Sequence, residues 1–167
     1  MNPNDIPADE FALIDANIFL YAVQQLSQQC TELLYRCADD EVKGILPAHI
    51  LAEIMHHLMT AEARDNGWIK GPNPARQLAE KPELVKVLVR YEEMVRDILA
   101  IGFQIEPLVE EDFLSAIMIQ RRFGLLTNDA LSIAIAQRLR VKNFVSADKA
   151  FARVQGLLLY APDDLVA

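Results

Sequence analysis

Four acidic residues stand where the pattern of the sequence makes a carboxylate costly unless its charge is compensated. Asp15 directly follows the apolar run FALI, and Asp148 directly follows NFVS. Glu53 lies inside a helical segment with apolar neighbours, and Asp129 precedes the most apolar helical segment of the chain. Helix capping is one interpretation of Asp15, Asp129 and Asp148, and a site for a hard divalent cation is the other. On this pattern alone both interpretations stay open.

Short strands alternate with longer helices along the chain, and these elements must position the four acids. The pattern predicts strands at 11–14, 42–46, 103–105, 143–146 and 157–160. It predicts helices at 17–37, 47–63, 83–101 and 110–123, and a buried one from 128–129 onward. This alternation indicates an α/β fold, a helix-rich three-layer α/β/α sandwich with a central parallel sheet. Ligands in such folds bind at the carboxyl ends of the strands, where Asp15 and Asp148 are placed.

The length of 167 residues favours a single domain over residues 1–167. With 52% hydrophobic residues the chain can build a core, which excludes an intrinsically disordered protein. Residues 65–82, DNGWIKGPNPARQLAEKP, are rich in proline and glycine. We therefore expect them to form a loop-rich insertion between helices.

The sequence favours a cytoplasmic protein that does not enter a membrane. It has no apolar run long enough for a membrane span, and its N-terminal residues lack the pattern of a signal peptide. Cys30 and Cys37 would lie about 10.5 Å apart along one predicted helix, which is too far for a disulfide. We expect both to be free thiols.

Four segments, taken together, resemble the PIN-domain nucleases and especially the VapC-type ribonuclease toxins. They are, in chain order, LIDANIFLY, HILAEIMHHL, LLTNDALSIAIA and FVSADKAFARV. The resemblance covers about residues 10–162 and implies a PIN-like fold. It implies that Asp15, Glu53, Asp129 and Asp148 are the catalytic residues and the metal ligands.

Three further residues are expected to support these ligands. Asn17 matches a polar residue that supports the first aspartate of the family, and Ser146 keeps the hydroxyl of the family's Thr/Ser-x-Asp pattern. His49 lies one helical turn from Glu53. The motif Glu53-x-x-His56 resembles half of a di-iron carboxylate site. Since the sequence contains no second half, we expect His49 to be a supporting or simply packed residue rather than a ligand.

The resemblance implies a metal-dependent endoribonuclease that cuts single-stranded RNA and leaves a 5′-phosphate and a 3′-hydroxyl. Mg²⁺ or Mn²⁺ would be the cofactor, because a hard divalent ion activates water and neutralises phosphoryl oxygens. A toxin of this type also implies a cognate antitoxin bound across the active groove. The apolar helix surfaces are compatible with a homodimer. The alternative is a non-catalytic PIN-like scaffold that binds RNA or a protein partner.

The net charge of −8 excludes a protein that holds nucleic acid by bulk positive charge alone. Bound divalent ions would, however, neutralise the negative charge of the four acids locally. Basic residues that could contact phosphate cluster in the C-terminal half, although each is also interpretable as an ordinary solvated side chain. They are Arg121, Arg122, Arg138, Arg140, Lys142, Lys149 and Arg153. Lys149, next to Asp148, is the preferred contact with RNA.

Overall fold

A parallel sheet of five strands forms the centre of the protein in a computed structural model that describes residues 1–165. The strand order is β3-β2-β1-β4-β5. The strands are β1 Phe11–Ile14, β2 Lys43–Pro47, β3 Gln104–Glu106, β4 Asn143–Val145 and β5 Leu158–Tyr160. The central strand β1 pairs in parallel with both neighbours, and Ala12 lies opposite Gly44 on β2 and Asn143 on β4.

Helices connect the strands and cover the sheet. Within residues 1–165 they are α1 Ala16–Val23, α2 Gln28–Ala38, α3 Ala48–Asp65, α4 Pro74–Ala79, α5 Pro82–Val85, α6 Arg90–Ala100, α7 Glu110–Phe123 and α8 Thr127–Arg138. Short 3-10 helices lie at Pro3–Asp5 and Lys149–Arg153. No helix of the described residues is long and apolar enough to cross a membrane.

Two apolar clusters pack on opposite faces of the sheet because alternate strand residues point to opposite sides. Ala12 and Ile14 of β1 belong to the cluster that contains side chains of α1, α2, α3 and α6. Leu13, between them, belongs to the cluster that contains side chains of α7 and α8. Residues Ala130–Ala136 of α8 are all buried. The predicted three-layer α/β/α fold with a parallel central sheet is therefore confirmed.

The single helix predicted at 17–37 is wrong, because α1 ends at Val23 and α2 begins at Gln28. Ser27 starts the second helix by accepting the N–H of Cys30 at 3.0 Å, as an N-cap does. The Ser27 hydroxyl in turn donates to Asp164 at 2.6 Å. Cys30 and Cys37 both lie on α2, and both are buried free thiols, as predicted.

The segment predicted as a loop-rich insertion at 65–82 is partly helical, since it contains α4. The helix predicted at 83–101 is interrupted and forms α5 and α6. A small apolar cluster of Ala63, Ile69, Leu78 and Leu88, with Trp68 packed against it, joins this region to α3. Residues 66–73 of this segment remain a loop, and the apolar cluster packs them against α3.

Candidate active site

The carboxyl ends of the central strands position the four acids around one cavity. Asp15 follows β1 directly, Glu53 lies near the start of α3, and Asp129 lies in the first turn of α8. Asp148 caps the 3-10 helix that follows β4. The cavity has a volume of about 470 Å³. Its lining residues are Asp15, Ala16, Asn17, Leu20, Ile50, Glu53, His57, Leu126, Thr127, Asn128, Asp129 and Asp148.

Asp15 is both a helix cap and part of the cavity wall, so the two interpretations of its pattern are compatible. Its Oδ1 accepts the N–H of Ala16 at 2.8 Å at the start of α1. Its Oδ2 accepts hydrogen bonds from Asn17 at 2.7 Å and from the Ser146 hydroxyl at 2.6 Å. The pKa of Asp15 is raised to about 6, mainly by burial and to a smaller extent by the charges of Asp129 and Glu53, while the hydrogen bonds from Ser146 and the Ala16 N–H partly oppose the rise.

Asn17 and Ser146 connect Asp15 to the segment that carries Asp148. The Asn17 amide donates to the Ser146 hydroxyl oxygen at 3.0 Å, and its carbonyl oxygen accepts the N–H of Ala147 at 3.1 Å. The Ser146 hydroxyl oxygen also accepts the N–H of Asp148 at 3.0 Å. Because Ser146 is fully buried, this network fixes the relative positions of the strand ends that carry Asp15 and Asp148.

Glu53 faces the amino-terminal end of α8. Its Oε2 accepts a hydrogen bond from the Asn128 side chain at 2.8 Å, and its Oε1 lies 3.9 Å from His57 Nε2. His49 Nε2 lies 3.1 Å from the Ser132 hydroxyl and 3.3 Å from the Asn128 carbonyl oxygen. Burial lowers the pKa of His49, which favours the neutral imidazole. His49 thus supports α8 behind the cavity and does not line it.

Two polar residues of the cavity, Asn128 and His57, were not predicted from the sequence. Asn128 precedes Asp129 in the segment LLTNDALS, and its position before a helix is equally typical of a cap. His57 lies one turn after Glu53 on α3, so the two side chains lie on the same side of the helix. This helical spacing is the sequence signal that indicates its place in the cavity.

Asp129 and Asp148 complete the acidic wall. Burial raises the pKa of Asp129, and the charges of Asp148 and Glu53 add to that effect. Asp148 is exposed, and its Oδ1 accepts the N–H of Ala150 at 2.7 Å. The four acids therefore share one electrostatic environment, although each is tied to a different element.

The donor chemistry of the cavity fits a hard divalent cation. Its wall supplies carboxylate oxygens, and none of the described residues that line it is Lys or Arg. Within residues 1–165, however, no three His, Cys, Asp or Glu side chains are grouped tightly enough to hold an ion as they are oriented. The oxygens are instead engaged with Asn17, Ser146, Asn128 and the Ala150 N–H. Binding would require carboxylate side chains to rotate into the cavity.

The predicted phosphate contact at Arg138 is wrong. Its guanidinium donates to Asp112 at 2.8 Å and to Glu106 at 2.8 Å, and it joins α8 to α7 and β3. Burial on its own would raise the pKa of Asp112, but the hydrogen bonds from Arg138 and from the Val109 N–H lower it overall. Arg138 is thus a structural residue with its hydrogen-bonding groups occupied.

The other predicted basic contacts lie outside the cavity wall. Arg122 donates to the Gln155 side chain at 3.0 Å, and Arg153 donates to the Ala150 carbonyl oxygen at 2.9 Å. Arg121 and Lys149 are exposed. The structure brings the four acids together but does not place these cations among them.

A parallel α/β sheet with an acidic cavity at the carboxyl ends of its strands defines the class of this protein. The model of the PIN domain matches residues 12–157, and the chain belongs to the PIN-domain family. Members of this family are generally nucleases that use divalent metal ions. Comparison with curated proteins gives no match.

Solved structures of low sequence identity share the fold. A toxin-antitoxin complex from Klebsiella pneumoniae is 17% identical with a TM-score of 0.58, and the match covers 88% of this chain and 95% of that one. VapBC2 from Rickettsia felis, bound to a DNA fragment from its promoter, is 16% identical with a TM-score of 0.57 and coverages of 92% and 99%. PAE2754 from Pyrobaculum aerophilum is 12% identical with a TM-score of 0.52 and coverages of 90% and 90%.

Proposed function

We propose that this protein is a Mg²⁺- or Mn²⁺-dependent endoribonuclease that hydrolyses phosphodiester bonds of single-stranded RNA. The observation that carries the proposal is the convergence of Asp15, Glu53, Asp129 and Asp148 on one cavity. Four carboxylates in a wall that contains no Lys or Arg repel an RNA phosphate, whereas they attract a divalent cation. Membership of a family of nucleases gives this arrangement its chemical context.

The four acids would hold one or two divalent ions, which activate a water molecule and neutralise charge on the phosphoryl oxygens. The residues around them have separate tasks. Asn17 and Ser146 fix the Asp15 carboxylate by hydrogen bonds of 2.7 and 2.6 Å. Asn128 orients Glu53, and His49 holds the turn of α8 on which Asn128 lies. Hydrolysis would leave a 5′-phosphate and a 3′-hydroxyl.

Basic side chains outside the cavity would hold the RNA strand. Lys149 is exposed and adjoins Asp148 in the chain, so it is the preferred phosphate contact. Arg121, Arg122 and Arg153 would extend this contact along the strand. Since phosphate contacts are electrostatic, binding should weaken as salt concentration rises.

The toxin role belongs to the same proposal. One structural neighbour is described as a toxin-antitoxin complex, and another is VapBC2. We propose that the chain 1–167 acts as one PIN-like unit in the cytoplasm, as a homodimer, and that a cognate antitoxin protein covers its groove.

Cleavage of single-stranded RNA by the purified protein tests the proposed activity. The parent should cleave in Mg²⁺ or Mn²⁺ and stop in EDTA, and Asp15→Asn should lose most turnover. Asp39→Asn changes an exposed acid outside the cavity and should cleave like the parent. Full cleavage in EDTA or by Asp15→Asn refutes the metal mechanism. RNA binding without cleavage by the parent would support the non-catalytic scaffold instead.

A further inference from the structure

The segment of residues 64–90 is positively charged in a protein that is acidic as a whole. It contains six of the sixteen Lys and Arg residues but only three of the twenty-four Asp and Glu residues. Its net charge is therefore +3, whereas the net charge of the whole chain is −8. All six cations of this basic segment are exposed: Arg64, Lys70, Arg76, Lys81, Lys86 and Arg90. A local field of this sign attracts a polyanion even where the protein as a whole repels it.

Four cations of the basic segment have no acidic partner. Arg76 pairs with Glu80 at 3.1 Å, and Arg90 pairs with Asp65. The remaining four form no ion pair within residues 1–165. They lie in the last turn of α3, in the loop before α4, and just before and just after α5: Arg64, Lys70, Lys81 and Lys86. Cations that are distributed over several elements suit a chain of phosphates better than one small anion.

Hydrogen bonds hold the loop that carries Lys70 in place. The Gln77 side chain of α4 accepts the N–H of Lys70 at 3.1 Å and donates to the carbonyl oxygens of Lys70 at 2.8 Å and of Pro72 at 2.9 Å. The Lys81 ammonium donates to the Trp68 carbonyl oxygen at 3.3 Å. The small apolar cluster described above packs the segment against α3. Because the backbone is ordered before a ligand arrives, binding has less conformational entropy to lose.

Helix α3 connects the acidic cavity to the basic segment. At 100° per residue, Arg64 lies about 20° around this helix from Glu53 and therefore on the same side. His57, which lines the cavity, lies between them on α3. A rise of 1.5 Å per residue separates Glu53 from Arg64 by about 16.5 Å along the axis. At about 3.4 Å per nucleotide of a stacked strand, about five nucleotides span this distance.

We infer that the basic segment binds the substrate RNA strand on the α3 side of the cavity, a few nucleotides away from the bond that is cut. The inference rests on the proposed ribonuclease function and extends it. The cations assigned to RNA above belong to α7 and to the 3-10 helix after β4, and none of them is on α3. The strand is then held by two positively charged regions with the acidic cavity between them. Since these contacts are to phosphates, the basic segment adds affinity without base preference.

Fluorescence anisotropy of a labelled single-stranded RNA tests this binding without catalysis. An RNA of about 12 nucleotides is within the range that positively charged grooves for single strands cover. Ca²⁺ is added because it takes oxygen ligands and would occupy the acids. The double variant Lys70→Gln with Lys86→Gln should raise the dissociation constant by at least about fivefold. The dependence of log affinity on log salt should become shallower by about 0.7 for each lost phosphate contact.

The matched control removes two lysine charges at the opposite edge of the sheet. Lys43 begins β2 and Lys142 immediately precedes β4, so both lie at the amino-terminal ends of the strands, away from the cavity. Lys43→Gln with Lys142→Gln should bind the RNA within about twofold of the parent, because distant exposed charges are screened. A control that binds as weakly as the Lys70 and Lys86 variant would show that only net charge matters, which overturns the inference. A parent that does not bind the RNA overturns it as well.

The fluorescence of Trp68 reports where the RNA lies. Trp68 is the one tryptophan of the chain, and it lies inside the basic segment. Its emission should change as the parent is titrated with the 12-nucleotide RNA, and the Lys70 and Lys86 variant should need at least about five times more RNA for the same change. Saturation of the anisotropy without any change in the emission of Trp68 contradicts binding at this segment.

Cleavage of RNAs of two lengths separates the basic segment from the acidic site. For the 12-nucleotide RNA, the Lys70 and Lys86 variant should raise KM and leave kcat within about twofold of the parent, as expected for the loss of uniform binding. A trinucleotide is too short to reach the basic segment from the acids, so the variant should cleave it like the parent. Circular dichroism and thermal melts establish that the variants are folded.

The basic segment and the proposed ribonuclease activity can fail separately. A parent that binds the 12-nucleotide RNA through the basic segment but cleaves no RNA refutes only the proposed activity. If the parent cleaves RNA and the Lys70 and Lys86 variant binds and cleaves the 12-nucleotide RNA equally well, only the inference about the basic segment is refuted.

Discussion

At the scale of single residues, the same side chain serves local structure and the cavity. Asp15 and Asp148 cap the elements that follow them and also line the acidic cavity. Their sequence context allowed either a cap or a metal ligand, and the structure shows that capping does not remove either carboxylate from the cavity wall. Asn128 likewise has a position typical of a helix cap and yet lines the cavity. Its hydrogen bond to Glu53 joins two segments that are far apart in the chain. The sequence pattern of neither segment predicts that hydrogen bond.

The raised pKa of Asp15 predicts how stability depends on pH. Its ordinary value is 3.8, and burial raises it to about 6 in the folded protein. The metal-free folded protein therefore binds the Asp15 proton more tightly than the unfolded chain. Its free energy of unfolding should consequently fall as pH rises through this interval. Asp15→Asn has no proton to lose and should show a flatter profile in urea unfolding measured in EDTA.

The exposed substitution Asp39→Asn is the matched control for this profile and should keep the slope of the parent. Asp129 also has a raised pKa, so Asp15→Asn should reduce the slope without abolishing it. An Asp15→Asn protein that loses stability with pH as steeply as the parent would mean that Asp15 is fully ionised in the fold without strain.

At the scale of elements, strands and helices with a continuous pattern were predictable, and those fixed by distant contacts were not. Strand β1 and helices α7 and α8 lie where periodicity placed them, and Gly124 ends α7 in a left-handed conformation with φ 66°. The break before α2 depends on Ser27 and on Asp164, far along the chain. Arg138 was misassigned for the same reason, since Glu106 and Asp112 come from other elements.

Glu62 shows how a distant side chain can start a helix. It is only 5% exposed, and its carboxylate accepts the N–H of Val89 at 3.0 Å and of Tyr91 at 2.7 Å at the start of α6. Burial would raise the pKa of Glu62, but these backbone hydrogen bonds lower it overall. The helix α6 thus has no cap in its own sequence, and a carboxylate of α3 supplies one.

Removing the charge of Glu62 should therefore destabilise the protein. Glu62→Gln keeps the size of the side chain but leaves one backbone N–H without a carboxylate oxygen, at a cost of about 1–3 kcal/mol. Glu93→Gln, an exposed change on α6, is the control and should stay within about 0.5 kcal/mol of the parent. Urea unfolding measures both. Equal stability of Glu62→Gln and the parent would show that water replaces this cap.

At the scale of the whole molecule, the sequence predicted the fold and the grouping of four acids, but not the hydrogen bonds that orient them. Ordered segments of a PIN-like pattern placed the acids at strand and helix ends. The distances among side chains depend on packing between elements, which periodicity does not describe. The net charge of −8 and the carboxylates of the cavity wall both repel the phosphates of RNA. If the proposed ribonuclease function is right, a divalent cation must bind in the cavity before an RNA phosphate can approach it.

Titration with Mn²⁺, followed by electron paramagnetic resonance, tests that requirement most directly because it needs no substrate. The parent should bind Mn²⁺. Loss of a residue that only supports a ligand typically weakens metal binding by about tenfold or more. Asp15→Asn and Asp129→Asn, which each remove a proposed ligand, should each raise the Mn²⁺ dissociation constant by more than about tenfold. Asp39→Asn should bind like the parent. A parent that binds no Mn²⁺, or site variants that bind it as tightly as the parent does, would contradict the four-carboxylate metal site.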